Sequence, residues 1–288
     1  MTRQVLIVED DAALGQLLVE DLQASGMRPT LLGLGKPAAD WVRRHRPDLV
    51  LLDLMLPDVD GYAVCKELKL DRATNRIPLV MVTALAREED RVRGLAVGAN
   101  DYLTKPFTRG QLHAAIEGAF AWRRELERHG SEGEVRFELR SNTRHLEELN
   151  QLLASLYLHT PLSGTQVQQL AMAVRELGAN AIEWGHRNQA DRIVTVTYRI
   201  DAAKVVIVIR DHGPGFDPAN LPHAARPENP LGHLGVRESL RLREGGFGIL
   251  MARGLVDELR YNRTGNEVRL VKYYARPATR RPAAALRG

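Results

Sequence analysis

R-E-L-G-A-N-A-I-E-W-G-H, residues 175 to 186, is the stretch on which the architecture of this chain turns. Leu170, Val174, Leu177, Ala181 and Trp184 recur at three and four residues, the period of one apolar helix face. Glu176 and Asn180, four apart, fall together on a neighbouring face. A carboxylate and an amide oxygen then stand side by side over a ligand, one able to draw on a hydroxyl proton and the other to complete the shell of a Mg2+ ion. The same spacing also fits a solvated helix edge, and two stretches further along decide in favour of a site.

The chain has 288 residues, enough for about two domains. Its 44% hydrophobic and 26% charged composition is that of a globular protein. No apolar run reaches the length of a membrane span, and Met1-Thr2-Arg3 runs straight into a strand-like segment without a signal-peptide layout, so the expected compartment is the cytoplasm. Cys65 is the single cysteine and reads as a small buried apolar residue. The net charge of +4 invites nucleic acid as a partner. Part of that excess sits in a Pro/Ala-rich tail, 276–288, expected to be disordered, and no helix-turn-helix, zinc-finger or aromatic RNA-binding signal accompanies it. Neither direct nucleic-acid binding nor membrane association is expected.

In the first half, short Val/Leu/Ile runs at 4–8, 48–52 and 77–82 alternate with helical patterns, with a further strand at 30–32, which predicts a parallel sheet covered by helices on both faces. Ligands of such sheets bind off the carboxyl ends of the strands. Glu9, Asp10 and Asp11 follow the first run and Asp53 follows the run at 48–52; Thr83 ends the next, and 101–104 ends in Lys105-Pro106. Clustered carboxylates repel one another unless a divalent cation neutralises them, and hard oxygens suit Mg2+. One carboxylate can then attack phosphorus in line, while a hydroxyl and an ammonium hold the oxygens of the incoming group. The segments V-L-I-V-E-D-D, L-L-D-L-M-L-P-D-V-D-G, M-V-T-A and Y-L-T-K-P-F resemble the receiver domain of two-component response regulators, a flavodoxin-like doubly wound fold, over 1–125. The resemblance implies that Asp53 is phosphorylated by an upstream histidine kinase, that Glu9, Asp10, Asp53 and the Met55 carbonyl hold Mg2+, and that Thr83 and Lys105 contact the phosphoryl group. It also implies that Tyr102 is a switch aromatic and that Lys105-Pro106 is cis. Glu9 stands where many receivers carry aspartate.

A last receiver helix is predicted at 111–129, with Leu112, Ala115, Ile116, Ala119 and Phe120 as its stripe; an extension of it could carry the switch signal or pair with its twin in a homodimer. A linker is placed at 126–133 and a second domain at 134–275. There a strand at 135–139 precedes a helix at 143–158 opened by Ser141-Asn142, in which His145 reads as a surface residue. After the quoted helix, runs at 193–200 and 205–210 deliver Asp211-His212-Gly213-Pro214-Gly215-Phe216. A buried aspartate at a strand end can accept a hydrogen bond from a nucleobase amine, and glycines let the backbone pass close to it. Residues 217–243 have the length of a lid and lead to Glu244-Gly245-Gly246-Phe247-Gly248, immediately before a helical run at 249–259. Glycines at a helix start let phosphate oxygens approach main-chain N–H groups. Strands at 259–262 and 267–274 close the domain.

Taken in order, these stretches resemble the Bergerat-type ATPase fold, an α+β sandwich shared by histidine kinases, gyrase and certain anti-sigma factors, and within it the anti-sigma-factor serine kinase branch. The resemblance implies ATP and Mg2+ as cofactors, Glu176 as general base, Asn180 as Mg2+ ligand, Asp211 as adenine contact, and Gly213, Gly215, Gly246 and Gly248 as nucleotide-loop glycines. Thr264-Gly265-Asn266-Glu267-Val268 departs from the Gly-Thr-Thr usual before the final strand. The implied function is a phosphorylation-controlled protein serine/threonine kinase acting on an anti-sigma-factor antagonist, with a sigma factor as competing partner. The alternative is a module that binds ATP and sequesters its partner without catalysis.

Overall fold

Strand segments apolar at successive positions, such as Val5–Val8, Leu49–Leu52 and Leu79–Val82, need cover on both faces, and the first half provides it. The computed structural model describes residues 2–85, 97–128, 131–217 and 247–275. Strands β1 (Gln4–Val8), β2 (Arg28–Leu32), β3 (Leu49–Leu52), β4 (Leu79–Thr83) and β5 (Asp101–Thr104) form a sheet in the order β2-β1-β3-β4-β5. Every neighbouring pair is parallel. Helices α1 (Ala12–Ala24), α2 (Ala38–His45), α3 (Gly61–Leu70) and α4 (Arg109–Arg128) lie between and after them. The two-residue period of the strands divides the core: Leu6, Val8, Val50 and Leu52 pack on one face with α2 and α3, and Val5, Ile7, Leu49 and Leu51 on the other with α1 and α4. Cys65 is fully buried on α3, and burial pushes its thiol up to about 12.

The second half folds differently. Strand β6 (Gly133–Arg140), helices α5 (Thr143–Tyr157) and α6 (Gly164–Asn180), strands β7 (Ile193–Ile200) and β8 (Lys204–Arg210), helix α7 (Gly248–Leu255) and strands β9 (Glu258–Tyr261) and β10 (Glu267–Tyr273) follow in chain order. The sheet order is β6-β7-β8-β10-β9, antiparallel at each described pairing. Alternate strand residues such as Val135, Phe137, Val196, Tyr198, Ile207 and Leu270 form one core with Leu149, Leu153, Leu170 and Val174 of the helices. This is the helices-on-one-face α+β sandwich. Ser163 and Gln166 open α6 with a reciprocal capping box.

Several local expectations are corrected. The helix through residues 175–186 is α-helical only to Asn180; Ala181–Gly185 is a π turn, closed by His186 N–H donating to the Ala181 carbonyl at 3.0 Å. The extra residue in that turn rotates the following side chains, so Ile182 is buried while Trp184 is 38% exposed and leaves the apolar stripe. The helix expected at 249–259 ends at Leu255, since Glu258–Tyr261 pairs with β10. Asn142 alone caps α5, accepting from Arg144 N–H at 2.8 Å; Ser141 is buried and turned to His186. His145 is half-buried rather than superficial, its Nδ1 without a partner among the described residues. Residues 126–128, expected in the linker, continue α4, and Leu126 is buried. The expected lid beyond Asp217, Gly246 and the tail lie outside the described residues. Among the described residues, no helix is long and apolar enough to cross a membrane.

The two halves meet through the edge of the first sheet where its strands begin. Trp122 of α4 donates Nε1–H to Glu134 Oε1 of β6 at 3.1 Å, Arg72 pairs with Glu132, and Leu70 packs against the second core. Lys69 is buried beneath this joint: its ammonium donates to the Ile77 carbonyl at 2.8 Å and Asn100 Oδ1 at 2.7 Å and faces the Trp122 ring, and burial pulls it down to about 8. Gly98, at φ +96°, lies where a Cβ would come within 2.6 Å of Val135 Cγ1. Gly26 has φ +76° with nothing within 4 Å of its Cβ position, so it carries backbone strain without the clash. Gly98→Ala is therefore expected to lower unfolding stability by about 1–3 kcal/mol, and by more than Gly26→Ala, in parallel urea titrations.

Candidate functional site

Parallel pairing of β1 with β3 and of β4 with β5 sets Val8 beside Leu52 and Thr83 beside Thr104, so the residues that follow converge at one sheet edge. Oxygens of Glu9, Asp10 and Asp53 all lie within 4.8 Å of one another. Glu9 and Asp53 are buried and Asp10 is exposed. Lys105 Nζ reaches Glu9 at 2.7 and 2.9 Å and Asp53 Oδ2 at 2.6 Å. Burial pushes the Glu9 carboxyl above its ordinary value; Lys105 opposes this and the Asp53 charge adds to it. Burial alone would pull Lys105 down, but its bonds to Asp53 and Glu9 outweigh it and hold the ammonium above the usual lysine range. Crowded hard oxygens with an exposed member at the rim fit a divalent cation. Asp11 belongs elsewhere: its carboxylate caps α1 through Ala13 and Leu14 N–H groups.

Leu85 ties the remaining residues together. Its N–H donates to Thr83 Oγ1 at 3.3 Å, and its carbonyl accepts from the Tyr102 hydroxyl at 2.7 Å. Met55, next to the acidic cluster, donates its N–H to Asp53 Oδ1 at 3.0 Å. Lys105–Pro106 is cis, and Lys105 N–H binds the Thr83 carbonyl at 2.7 Å.

In the second half the expected residues that are described form two groups, one around Glu176 and one around Asp211. Gly248 opens α7 directly over α6: a Cβ there would stand 2.8 Å from Glu176 Oε2 and 3.6 Å from Asn180 Nδ2. At the far end of the π turn, Gly185 lies against Asp211, whose Oδ2 would be 2.7 Å from a Cβ. Asp211 is buried; burial pushes its carboxyl up, opposed by Gly213 N–H donating to Oδ1 at 2.8 Å. A Cβ on Gly213 would collide with the Gly185 carbonyl, and Gly215, at φ +74°, packs on Thr264, whose carbonyl accepts from Phe216 N–H at 3.0 Å. These glycines let the Gly185, Asp211–Gly215 and Thr264 backbones close tightly around the Asp211 carboxylate, where a side chain on any of these glycines would not fit. Asn266 occupies the departure from Gly-Thr-Thr: its carbonyl accepts Asp211 N–H at 3.0 Å and its amide faces the Gly213 carbonyl.

Sequence reading assigned no role to Gly185, Ser141 or His186. Gly185 and His186 sit inside the quoted stretch, and a glycine followed by histidine after a helix was a signal to hand; Ser141 gave none beyond its capping chemistry. His186 is 1% exposed, and burial first, then Arg192 and His212, hold its imidazole below its ordinary 6.5. The folded chain therefore binds fewer protons than the unfolded one. The stability due to the neutral ring is complete above about pH 6.5 and is lost as pH falls through the folded-state pKa. Urea midpoints of the wild type should drop on that side of pH 6.5 more steeply than those of His186→Gln, which has no titrating group there.

Residues 5–117 match the family described as response regulator receiver domain, and 139–272 match the histidine kinase-like ATPase domain. BaeR, a transcriptional regulatory protein of Escherichia coli O6:H1, is 46% identical over 116 residues, covering 40% of this chain and 47% of BaeR. The chain thus spans about half the length of that relative. The DNA-binding response regulator MtrA of Mycobacterium tuberculosis is 35% identical over 219 residues, 71% of this chain and 89% of MtrA. Among solved structures, the receiver domain of a sensor histidine kinase from Pseudomonas aeruginosa PAO1 is 33% identical, with a TM-score of 0.39, covering 42% of this chain and 99% of that one. With a receiver-type parallel sheet in one half and an antiparallel ATPase-type sheet in the other, the chain belongs to the response-regulator family, as a receiver domain followed by a histidine kinase-like ATPase domain.

Proposed function

We propose that this response regulator is a phosphorylation-controlled protein serine/threonine kinase: an upstream histidine kinase phosphorylates Asp53, and the second domain transfers the γ-phosphoryl group of ATP to a hydroxyl on an anti-sigma-factor antagonist, with a sigma factor as competing partner. The observation that carries the reading is the meeting of Glu176, Asn180 and the glycine start of α7 at one place, joined through the π turn to buried Asp211. Glu176 is the base that takes the hydroxyl proton. Asp211 holds the adenine amine, and the main-chain N–H groups at Gly248 face the phosphates. Asn180, and in the receiver Glu9, Asp10, Asp53 and the Met55 carbonyl, would hold Mg2+, which supplies charge neutralisation for phosphate oxygens.

In the receiver, Lys105 binds a phosphoryl oxygen once Asp53 carries the group, and Thr83 gives its hydroxyl to another. Thr83 Oγ1 also accepts from Leu85 N–H, and the Leu85 carbonyl accepts from Tyr102, so a phosphoryl group drawn to Thr83 biases the segment at Leu85 and the Tyr102 side chain bound to it. DNA binding, named for MtrA, is not part of the proposal, because residues 139–272 match the ATPase family here. Calorimetric titration of the full chain with ATP and Mg2+ tests the reading. Saturable uptake is expected; none, with or without a phosphoryl donor, overturns it. ATP uptake without transfer of label to any serine-bearing antagonist would leave the sequestering module in its place.

A further inference from the structure

His186 joins three pieces of chain that are distant in sequence. Its Nε2 accepts the main-chain N–H of His212 at 2.9 Å, and its Nδ1 meets Ser141 Oγ at the end of β6. A ring nitrogen that accepts carries no proton, so the proton is on Nδ1 and is donated to Ser141. His186 directly follows Gly185, where a Cβ would run into the Asp211 carboxyl, and binds the turn that begins with Asp211. From the other side, Arg192 donates to the His212 carbonyl at 3.2 Å and the His212 ring meets the Ile193 carbonyl at 3.1 Å. Within Asp211, Oδ1 accepts from Gly213 N–H, and among the described residues nothing donates to Oδ2, which can accept from a donor outside the protein.

We infer that His186, supported by Ser141, is a positioning residue that fixes the Asp211–Gly213 turn so that Asp211 Oδ2 accepts from the exocyclic amine of adenine, and that it thereby sets the preference for adenine over guanine nucleotides. Guanine presents a carbonyl where adenine presents the amine, and a carbonyl facing a carboxylate is repelled. The discrimination depends on where Oδ2 stands, and the N–H···Nε2 bond holds the peptide that carries it. The other charged or titratable groups around the ring are Asp191, Arg192, Asp211 and His212, none of which replaces that acceptor. The inference rests on the second domain binding ATP.

Calorimetry of the full-length protein with ATP and with GTP, at neutral pH and with Mg2+, tests it on wild type, His186→Phe, His186→Gln and Ser141→Ala. His186→Phe keeps a ring but no acceptor, and its ATP affinity is expected to fall about tenfold with GTP affinity unchanged. His186→Gln can offer Oε1 to the same N–H and should recover most of the ATP-to-GTP ratio. A folded His186→Phe with the wild-type ratio overturns the inference while leaving ATP binding intact. Should His186→Phe fail to fold, Ser141→Ala decides, because it frees Nδ1 and loosens the tautomer: a reduced ratio supports the inference and an unchanged one overturns it. Wild type that binds both nucleotides equally also overturns it, whereas wild type that binds neither removes the kinase reading on which it rests.

Discussion

Glu176→Gln is expected to lower phosphoryl transfer from ATP to a protein hydroxyl by a factor of about 10²–10⁴, with ATP affinity nearly unchanged. The substitution keeps the shape and the hydrogen-bonding reach of the side chain and removes only its ability to take a proton. Glu176 is half-buried on α6, with Gly248 close over its carboxylate, so a bulkier replacement would disturb the helix start as well as the chemistry. Measuring initial rates with labelled ATP alongside calorimetric affinity separates the two effects. A variant that transfers at the wild-type rate would exclude Glu176 as the base. Loss of ATP affinity in parallel with rate would instead assign it to binding.

The second large effect is at the receiver. Asp53→Asn should abolish uptake of a phosphoryl group from acetyl phosphate, read as a gain in intact mass that disappears in hydroxylamine. An amide cannot form the acyl phosphate; of the neighbouring carboxylates, Glu9 is held by both oxygens on Lys105, Asp11 caps α1, and Asp10 lies exposed at the rim. Retention of the mass gain by Asp53→Asn would move the acceptor to another residue. If Asp53 is the acceptor, phosphorylation should also alter the rate of the second domain, across the length of the first sheet. The acidic cluster sits at the carboxyl ends of β1 and β3, whereas Lys69, Trp122 and Gly98 join the halves at the opposite edge of the same sheet.

Much of this was legible in the sequence, because the two periods leave different marks. Apolar runs within β1, β3 and β4 required cover on both sides and hence a parallel sheet, while alternation at 135–139 marked a half-buried strand and the one-faced sandwich of the second half was implied by the resemblance of its motifs. The expectation that Glu9, Asp53 and Lys105 stand at one sheet edge rested on strand ends alone, and in the structure Lys105 donates to both carboxylates. Trp184 was misjudged because periodicity assumes an unbroken α-helix, and the π turn is a response to packing rather than to local propensity.

What the sequence determined by itself is the order and type of the elements and the end of the sheet at which each polar residue stands, since both follow from short-range patterns. The approach of Gly185 to Asp211, the Ser141–His186–His212 link and the joint through Lys69, Trp122 and Glu134 were decided only by tertiary structure. Each brings together residues tens of positions apart, and such meetings depend on how whole elements pack, which no local spacing encodes.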